Sequence, residues 1–164
     1  SRSEISSARL LPPWMLVQYR QTLRRERSLA GGSGAAAALI GTGNLGLSIA
    51  KGLVINHTYT TLYLTKRNLD SIESWTQYKN VFVTSDNKEA VKNADILILA
   101  VQPSQLDSVL TELKPLLGAR HILISTVTGY PISRIEAFVG EKISIVRSMP
   151  NTAISVRKSM TCLC

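Results

Sequence analysis

Gly41-Thr42-Gly43-Asn44-Leu45-Gly46 has the spacing of a phosphate cradle. In a G-x-G-x-x-G run the first glycine permits a tight turn, the second lets backbone approach a pyrophosphate, and the third lets a helix pack closely on a sheet. The anion would sit on the helix N-terminus, where unpaired N–H groups and the helix dipole favour negative charge. The spacing alone is a weak signal, because glycine-containing turns also produce it by chance. About one βαβ unit later stand Thr65-Lys66-Arg67-Asn68. Sites for NAD usually carry Asp or Glu here, binding the ribose 2′-hydroxyl. Lys66 and Arg67 instead offer an ammonium and a guanidinium, which pair with a 2′-phosphate. The two stretches together point to NADP(H), with NAD(H) as the lesser option. The plain alternative is that Lys66 and Arg67 are a solvated loop pair. Asp70, the nearest acid, is expected to start the next helix.

The elements that must position these residues follow from periodicity. An apolar segment ending Leu39-Ile40 precedes the glycines, and a helical pattern with Leu45, Ile49 and Leu53 on one face follows them. Thr61 to Thr65 and Val81 to Thr84 read as strands. Asp86 and Glu89 form a capping-box pattern for a helix through Val91. Asp95 to Val101 is a continuous apolar run, as expected of a strand covered on both faces. It ends at Gln102-Pro103, after which Ser104 is placed to cap a helix carrying Leu106, Val109, Leu110 and Leu113. His121 to Ser125 is another strand, running into Thr126-Val127-Thr128-Gly129; Ile132 to Phe138 is a short helix and Ile143 to Arg147 a further strand. The alternation predicts a doubly wound, Rossmann-like α/β sheet, mostly parallel, with ligands at the carboxyl ends of its strands. One oddity is Ala35-Ala36-Ala37-Ala38 in the slot of the first central strand. Such strands are usually rich in Val and Ile, so alanine is expected to leave volume unfilled there.

Length and composition restrict the remaining possibilities. The chain has 164 residues and 45% apolar content, enough for one packed core and too apolar for disorder. It has no uninterrupted apolar run long enough to cross a bilayer. Its net charge of +8 resembles a nucleic-acid signal, but residues 1–30 carry six arginines against Glu4 and Glu26, half of that excess. No stacking-aromatic motif accompanies the rest, so polynucleotide binding is the poorer reading. Gly31-Gly32-Ser33-Gly34 has the composition of a flexible linker and divides residues 1–34, a basic N-terminal extension, from a single domain at 35–164. The extension reads first as an appended peptide, then as a helix that binds a peptide or protein partner, then as an Arg- and Ser-rich organelle-targeting segment. Cys162 and Cys164 lack the partners of a metal site, and His57 and His121 lie in unrelated contexts. Two buried structural thiols in a reduced compartment are expected. That compartment is the cytoplasm, or the mitochondrion if residues 1–34 are a targeting segment.

Four segments then carry a resemblance that periodicity does not supply. The glycine loop, Asp86-Asn87 before Glu89-Ala90-Val91, Ala100-Val101-Gln102-Pro103, and Met149-Pro150-Asn151-Thr152 resemble, in order and spacing, the pyrroline-5-carboxylate reductase family. The likeness spans roughly residues 39–164. Its most specific part is Met149 to Thr152, which argues against another imine or carbonyl reductase such as a deazaflavin-dependent NADP reductase. The family reduces the C=N bond of 1-pyrroline-5-carboxylate to give proline, by hydride transfer from NADPH or NADH. The resemblance implies that Ile40, Gly41, Thr42, Gly43, Asn44 and Leu45, with Gly46 behind them, lie along the pyrophosphate, and that Lys66 and Arg67 lie near the adenosine ribose. It also implies cofactor contacts from Asn87, from Ala100, Val101, Gln102 and Pro103, and from Thr126, Val127 and Thr128, with Met149, Pro150 and Asn151 bordering the nicotinamide pocket. A buried turn is a comparable reading for the last two. No catalytic nucleophile is implied. Family members continue into a helical domain that makes the dimer and most of the substrate pocket. A chain ending at Cys164 is accordingly expected to bind cofactor and to catalyse poorly by itself. The alternative function is a non-catalytic nucleotide-binding module displaying its N-terminal peptide.

Overall fold

In the computed structural model, residues 35–56, 59–149 and 162–163 are described. The N-terminal extension, His57, Pro150, Asn151 and Cys164 lie outside these residues, as do the readings attached to them.

Six parallel strands and one short antiparallel strand form a single sheet. The strands are β1 (Ala36–Ile40), β2 (Thr61–Thr65), β3 (Val81–Thr84), β4 (Ile96–Leu99), β5 (Ile122–Ser125), β6 (Ser144–Met149) and β7 (Cys162–Leu163). Their spatial order is β3-β2-β1-β4-β5-β6-β7, with β7 antiparallel to β6. The helices are α1 (Asn44–Asn56), α2 (Asn87–Lys92), α3 (Pro103–Leu113) and α4 (Ile132–Val139), with short 3-10 turns at Glu73–Gln77 and Lys114–Leu116. The 3-2-1-4-5-6 order reverses direction between β1 and β4, which opens a crevice at their carboxyl ends.

Alternation along each strand divides the core into two layers. Ala37, Leu39, Leu62, Leu64, Ile98 and Ile124 face α1, where they meet Ile49, Ala50, Leu53 and Val54. Ala38, Ile40, Leu97, Leu99 and Leu123 face the other way, against Ala90 and Val91 of α2, Leu106, Leu110 and Leu113 of α3, and Ile135 of α4. Both faces of the central strands are thus covered, which explains their unbroken apolar runs. The alanines of β1 form a complete strand between β2 and β4, with Ala38 fully buried. Alanine does not prevent the strand from forming.

Three local expectations are corrected. Asp86 does cap α2, accepting from the Lys88 N–H at 2.9 Å, but the box does not close. Glu89 is diverted to the Thr84 hydroxyl at 2.7 Å, while that hydroxyl accepts from the Asp86 N–H. α3 begins at Pro103 behind Gln102, not behind Ser104, because the fixed φ of proline suits the first helical position and its missing N–H costs nothing there. Asp70 starts no helix: Asn68 Oδ1 accepts from its N–H in a turn, and the 3-10 turn begins only at Glu73. Among the described residues, no helix is long and apolar enough to cross a membrane.

Candidate functional site

The glycine loop leaves β1 directly and enters α1, and each of its glycines is explained by a different obstacle. Gly41 has φ +87°, and a Cβ on it would lie 2.6 Å from Val101 Cγ1 and 3.1 Å from the Ala100 carbonyl oxygen. Gly46 lies under the loop, where a Cβ would fall 2.4 Å from the Gly41 carbonyl oxygen. Gly43 is exposed, and a Cβ there would meet nothing within 4 Å. The fold itself therefore requires Gly41 and Gly46 but not Gly43. An open glycine at the mouth of a helix N-terminus fits a group that must come close to backbone, as a pyrophosphate does.

Thr65, the last residue of β2, anchors this loop. Its carbonyl accepts from the Thr42 N–H at 3.0 Å and from the Thr42 hydroxyl at 2.9 Å, and its own hydroxyl accepts from the Gly41 N–H at 3.3 Å. Thr42 is fully buried by these bonds, so its side chain serves the loop's shape. Ile40, also fully buried, supports the loop from below. Because Thr65 touches the loop, the next residues, Lys66 and Arg67, are held beside it. Lys66 is half-buried, its N–H donating to the Thr84 carbonyl at 3.2 Å, and Arg67 is exposed. Neither takes part in an ion pair among the described residues, whose pairs are Arg120–Asp95 and Arg134–Asp107. Two cations without a carboxylate partner among the described residues, directly after the Thr65 that anchors the glycine loop, suit an anionic ligand.

The other strand ends complete the rim. The Asn87 amide opens α2 and donates to Glu112 Oε2 at 3.2 Å, leaving its own oxygen as an acceptor. After β4, Ala100 donates to the Ile40 carbonyl at 2.9 Å, which fixes Ala100 and Val101 against Gly41; Gln102 and Pro103 are exposed. After β5, Thr126 is buried, with its N–H and hydroxyl both on the Leu99 carbonyl at 3.0 and 2.7 Å. Val127 is buried in the core and Thr128 is exposed. Met149 closes β6 at the same end of the sheet. The topology thus gathers Gly41 to Gly46, Lys66, Arg67, Asn87, Ala100 to Pro103, Thr126 to Thr128 and Met149 along one edge.

Sequence reasoning missed Thr65, Glu112 and a side-chain group behind the β5 loop. In that group the Tyr130 hydroxyl donates to Asp107 Oδ1, Arg134 donates to Asp107 Oδ2 at 2.9 Å, and the Arg134 guanidinium lies 4.6 Å from the Tyr130 ring centre. Burial raises the Tyr130 pKa, and so does its bond to Asp107. A tyrosine in an otherwise small-residue turn is the signal that could have revealed the group. His121 lies at the opposite, amino end of β5, so it takes no part in the site. Among the described residues no cluster of potential ligands could hold a metal ion.

Comparison with known proteins agrees with this geometry. The family described as NADP oxidoreductase coenzyme F420-dependent matches residues 36–129. Pyrroline-5-carboxylate reductase 1 of Dictyostelium discoideum is 44% identical over 77% of this chain and 23% of its own length. A pyrroline-5-carboxylate reductase structure from Coxiella burnetii superposes with a TM-score of 0.72 at 36% identity, covering 79% of this chain and 48% of that one. The Plasmodium falciparum pyrroline carboxylate reductase, solved with NADP bound, gives 0.71 at 27% identity, covering 82% and 49%. The chain spans less than half the length of each. A doubly wound sheet with a three-glycine turn at its switch point, matched over more than half its length, places the chain in the NADP oxidoreductase coenzyme F420-dependent family, where its likeness is to the pyrroline-5-carboxylate reductases.

Proposed function

We propose that this chain binds NADP(H) across the β1/β4 crevice and forms the nucleotide-binding part of a reductase acting on 1-pyrroline-5-carboxylate. The observation that carries the reading is a sterically open Gly43 beside two cations that lack a carboxylate partner among the described residues. Gly43 and the first turn of α1 would receive the pyrophosphate. Lys66 and Arg67 would pair with the 2′-phosphate, and the acceptor oxygen of Asn87 suits a ribose hydroxyl. The loops after β4 and β5 would hold the second nucleotide half, with the end of β6 at Met149 at its border.

A bound nicotinamide supplies the hydride for reducing a C=N bond. What falls to the residues of this chain is orientation and water exclusion, because a protonated imine is already electrophilic and needs no protein nucleophile. The reaction is that of the relatives named above, of whose length this chain spans less than half.

Calorimetric titration with NADPH and, in parallel, NADH tests the reading. NADPH should bind more tightly. In the double variant Lys66→Asp, Arg67→Ala the NADPH affinity should fall by about a hundredfold, the order expected from two lost charge-assisted contacts, while NADH binding stays nearly constant. Equal losses for both would show that the pair does not read the 2′-phosphate, and no binding of either would defeat the proposal.

A further inference from the structure

The Tyr130 ring belongs to the core layer on the α3 and α4 side, but its hydroxyl, Asp107 and Arg134 form a polar group beyond that packing, and the group joins three segments that the backbone connects only at a distance. Asp107 lies in the second turn of α3, just behind the Ala100 to Gln102 loop that follows β4. Tyr130 ends the Thr126 to Gly129 loop that follows β5, directly after Gly129 turns the chain with φ +72°. Arg134 lies in the first turn of α4. The Tyr130 ring is buried against the α3 and α4 side of the core, only 3% exposed, and its hydroxyl reaches one carboxylate oxygen of Asp107 while Arg134 takes the other. Arg134 is also stacked over the same ring. Its ion pair is exposed, and such pairs contribute little to stability. The Tyr130 hydroxyl is different, since the buried ring that carries it fixes the direction of its bond to Asp107.

In a doubly wound sheet each half of a dinucleotide lies on one half of the strand order. The adenosine half belongs to β1, β2 and β3, and the nicotinamide half to β4, β5 and β6. The group ties α3, which directly follows the β4 loop, to the residue that ends the β5 loop, and those two loops flank the nicotinamide half. We infer that Tyr130 and Asp107, steadied by Arg134, are positioning residues that fix the separation of the β4 and β5 loops and thereby the seating of the nicotinamide ring. The inference rests on the dinucleotide reading above and deepens it. It assigns a role to side chains that touch neither substrate nor cofactor.

The test compares two ligands on the whole chain: NADPH, and 2′-phospho-ADP-ribose, which lacks the nicotinamide ring. Tyr130→Phe keeps the ring and its stacking and removes only the hydroxyl. Asp107→Ala removes the acceptor from the other side and guards against an idiosyncratic effect of the first change. Each variant should lose about tenfold in NADPH affinity, the order expected for one hydrogen bond to a charged group. Affinity for 2′-phospho-ADP-ribose should be unchanged, and the rise in nicotinamide fluorescence on binding should be reduced. Equal losses for both ligands would mean that the group only supports the fold and would overturn the inference, as would unchanged NADPH affinity and fluorescence. If the unaltered chain binds neither ligand, the dinucleotide reading itself fails and takes the inference with it. Tight wild-type binding with insensitive variants overturns the positioning role alone.

Discussion

At the scale of single residues, Gly43 and Gly46 separate two demands that a sequence motif merges. Both are glycine, but one is constrained by the protein and the other is not. An alanine at Gly46 would place its Cβ 2.4 Å from the Gly41 carbonyl oxygen, which is backbone and cannot swing away. Such overpacking typically costs about 1–3 kcal/mol, so Gly46→Ala should lower the denaturation midpoint clearly. An alanine at Gly43 meets open space, and its stability should stay within about 0.5 kcal/mol of the parent. Gly43→Ala should nonetheless weaken NADPH binding roughly tenfold, about 1.4 kcal/mol, because the methyl group would occupy the proposed approach to the phosphates. Chemical denaturation and ligand titration of the same two variants give the comparison. A stable Gly43→Ala that binds NADPH normally would remove this loop from the site. The roles of Gly41 and Gly46 were legible in the sequence because backbone geometry dictates them. The anchoring by Thr65 was not, because a threonine ending a strand shows no sign of where its hydroxyl and carbonyl point.

At the scale of elements, the periodic segments were legible and their ends less so. Continuous apolar runs at Ile96–Leu99 and Ile122–Ser125 specify strands buried on both faces, and the alternation of Leu97 and Ile98 between layers follows from pleating alone. Ends are decided by competition among short polar side chains, which is why Glu89 went to Thr84 instead of closing a capping box. The junction of α2 with β5 shows the same economy. His121 is buried, its Nδ1 accepting from the Gly118 N–H at 3.0 Å while Nε2 faces the Val91 carbonyl at 3.3 Å. Burial, reinforced by the neighbouring Arg120 charge, lowers its pKa below the ordinary value, despite Asp95 acting in the opposite direction. The folded state therefore holds His121 neutral, and protonation would remove the acceptor that Gly118 uses. Stability from this group is fully present above the unfolded value of about 6.5 and is lost as pH falls toward the lowered folded value, because the unfolded chain takes up the proton first. Denaturant midpoints at pH 7.5 and pH 5 should differ more for the parent than for His121→Leu. An equal difference would show that the carboxylates alone carry the acid sensitivity.

At the scale of the whole molecule, the strand order matters more than any single contact. Two half-sheets meet between β1 and β4, and this meeting line carries the Ala100 to Ile40 hydrogen bond and the close approach of Val101 to Gly41. A ligand that spans the line touches loops from both halves, and it can do so only while both are folded. Dinucleotide binding should accordingly stabilise the sheet as one unit. At a hundred times its dissociation constant a ligand adds about 2.7 kcal/mol, which for a chain of this size raises Tm by about 5–10 °C. NADPH should give that shift in a single transition. At the same concentration NADH should give a smaller one, because the 2′-phosphate that Lys66 and Arg67 would engage is missing. In the Lys66→Asp, Arg67→Ala variant the two shifts should converge, since the charge at the end of β2 is then the wrong sign for the extra phosphate. Thermal melts of both proteins with both nucleotides give four shifts, and their pattern separates two causes that one affinity would confuse. A large NADPH shift that survives in the variant would place the 2′-phosphate elsewhere on the rim, with the sheet still acting as one body. Two transitions, with only one moved by ligand, would mean that the halves unfold separately and that the crevice between them is not the place where the dinucleotide binds.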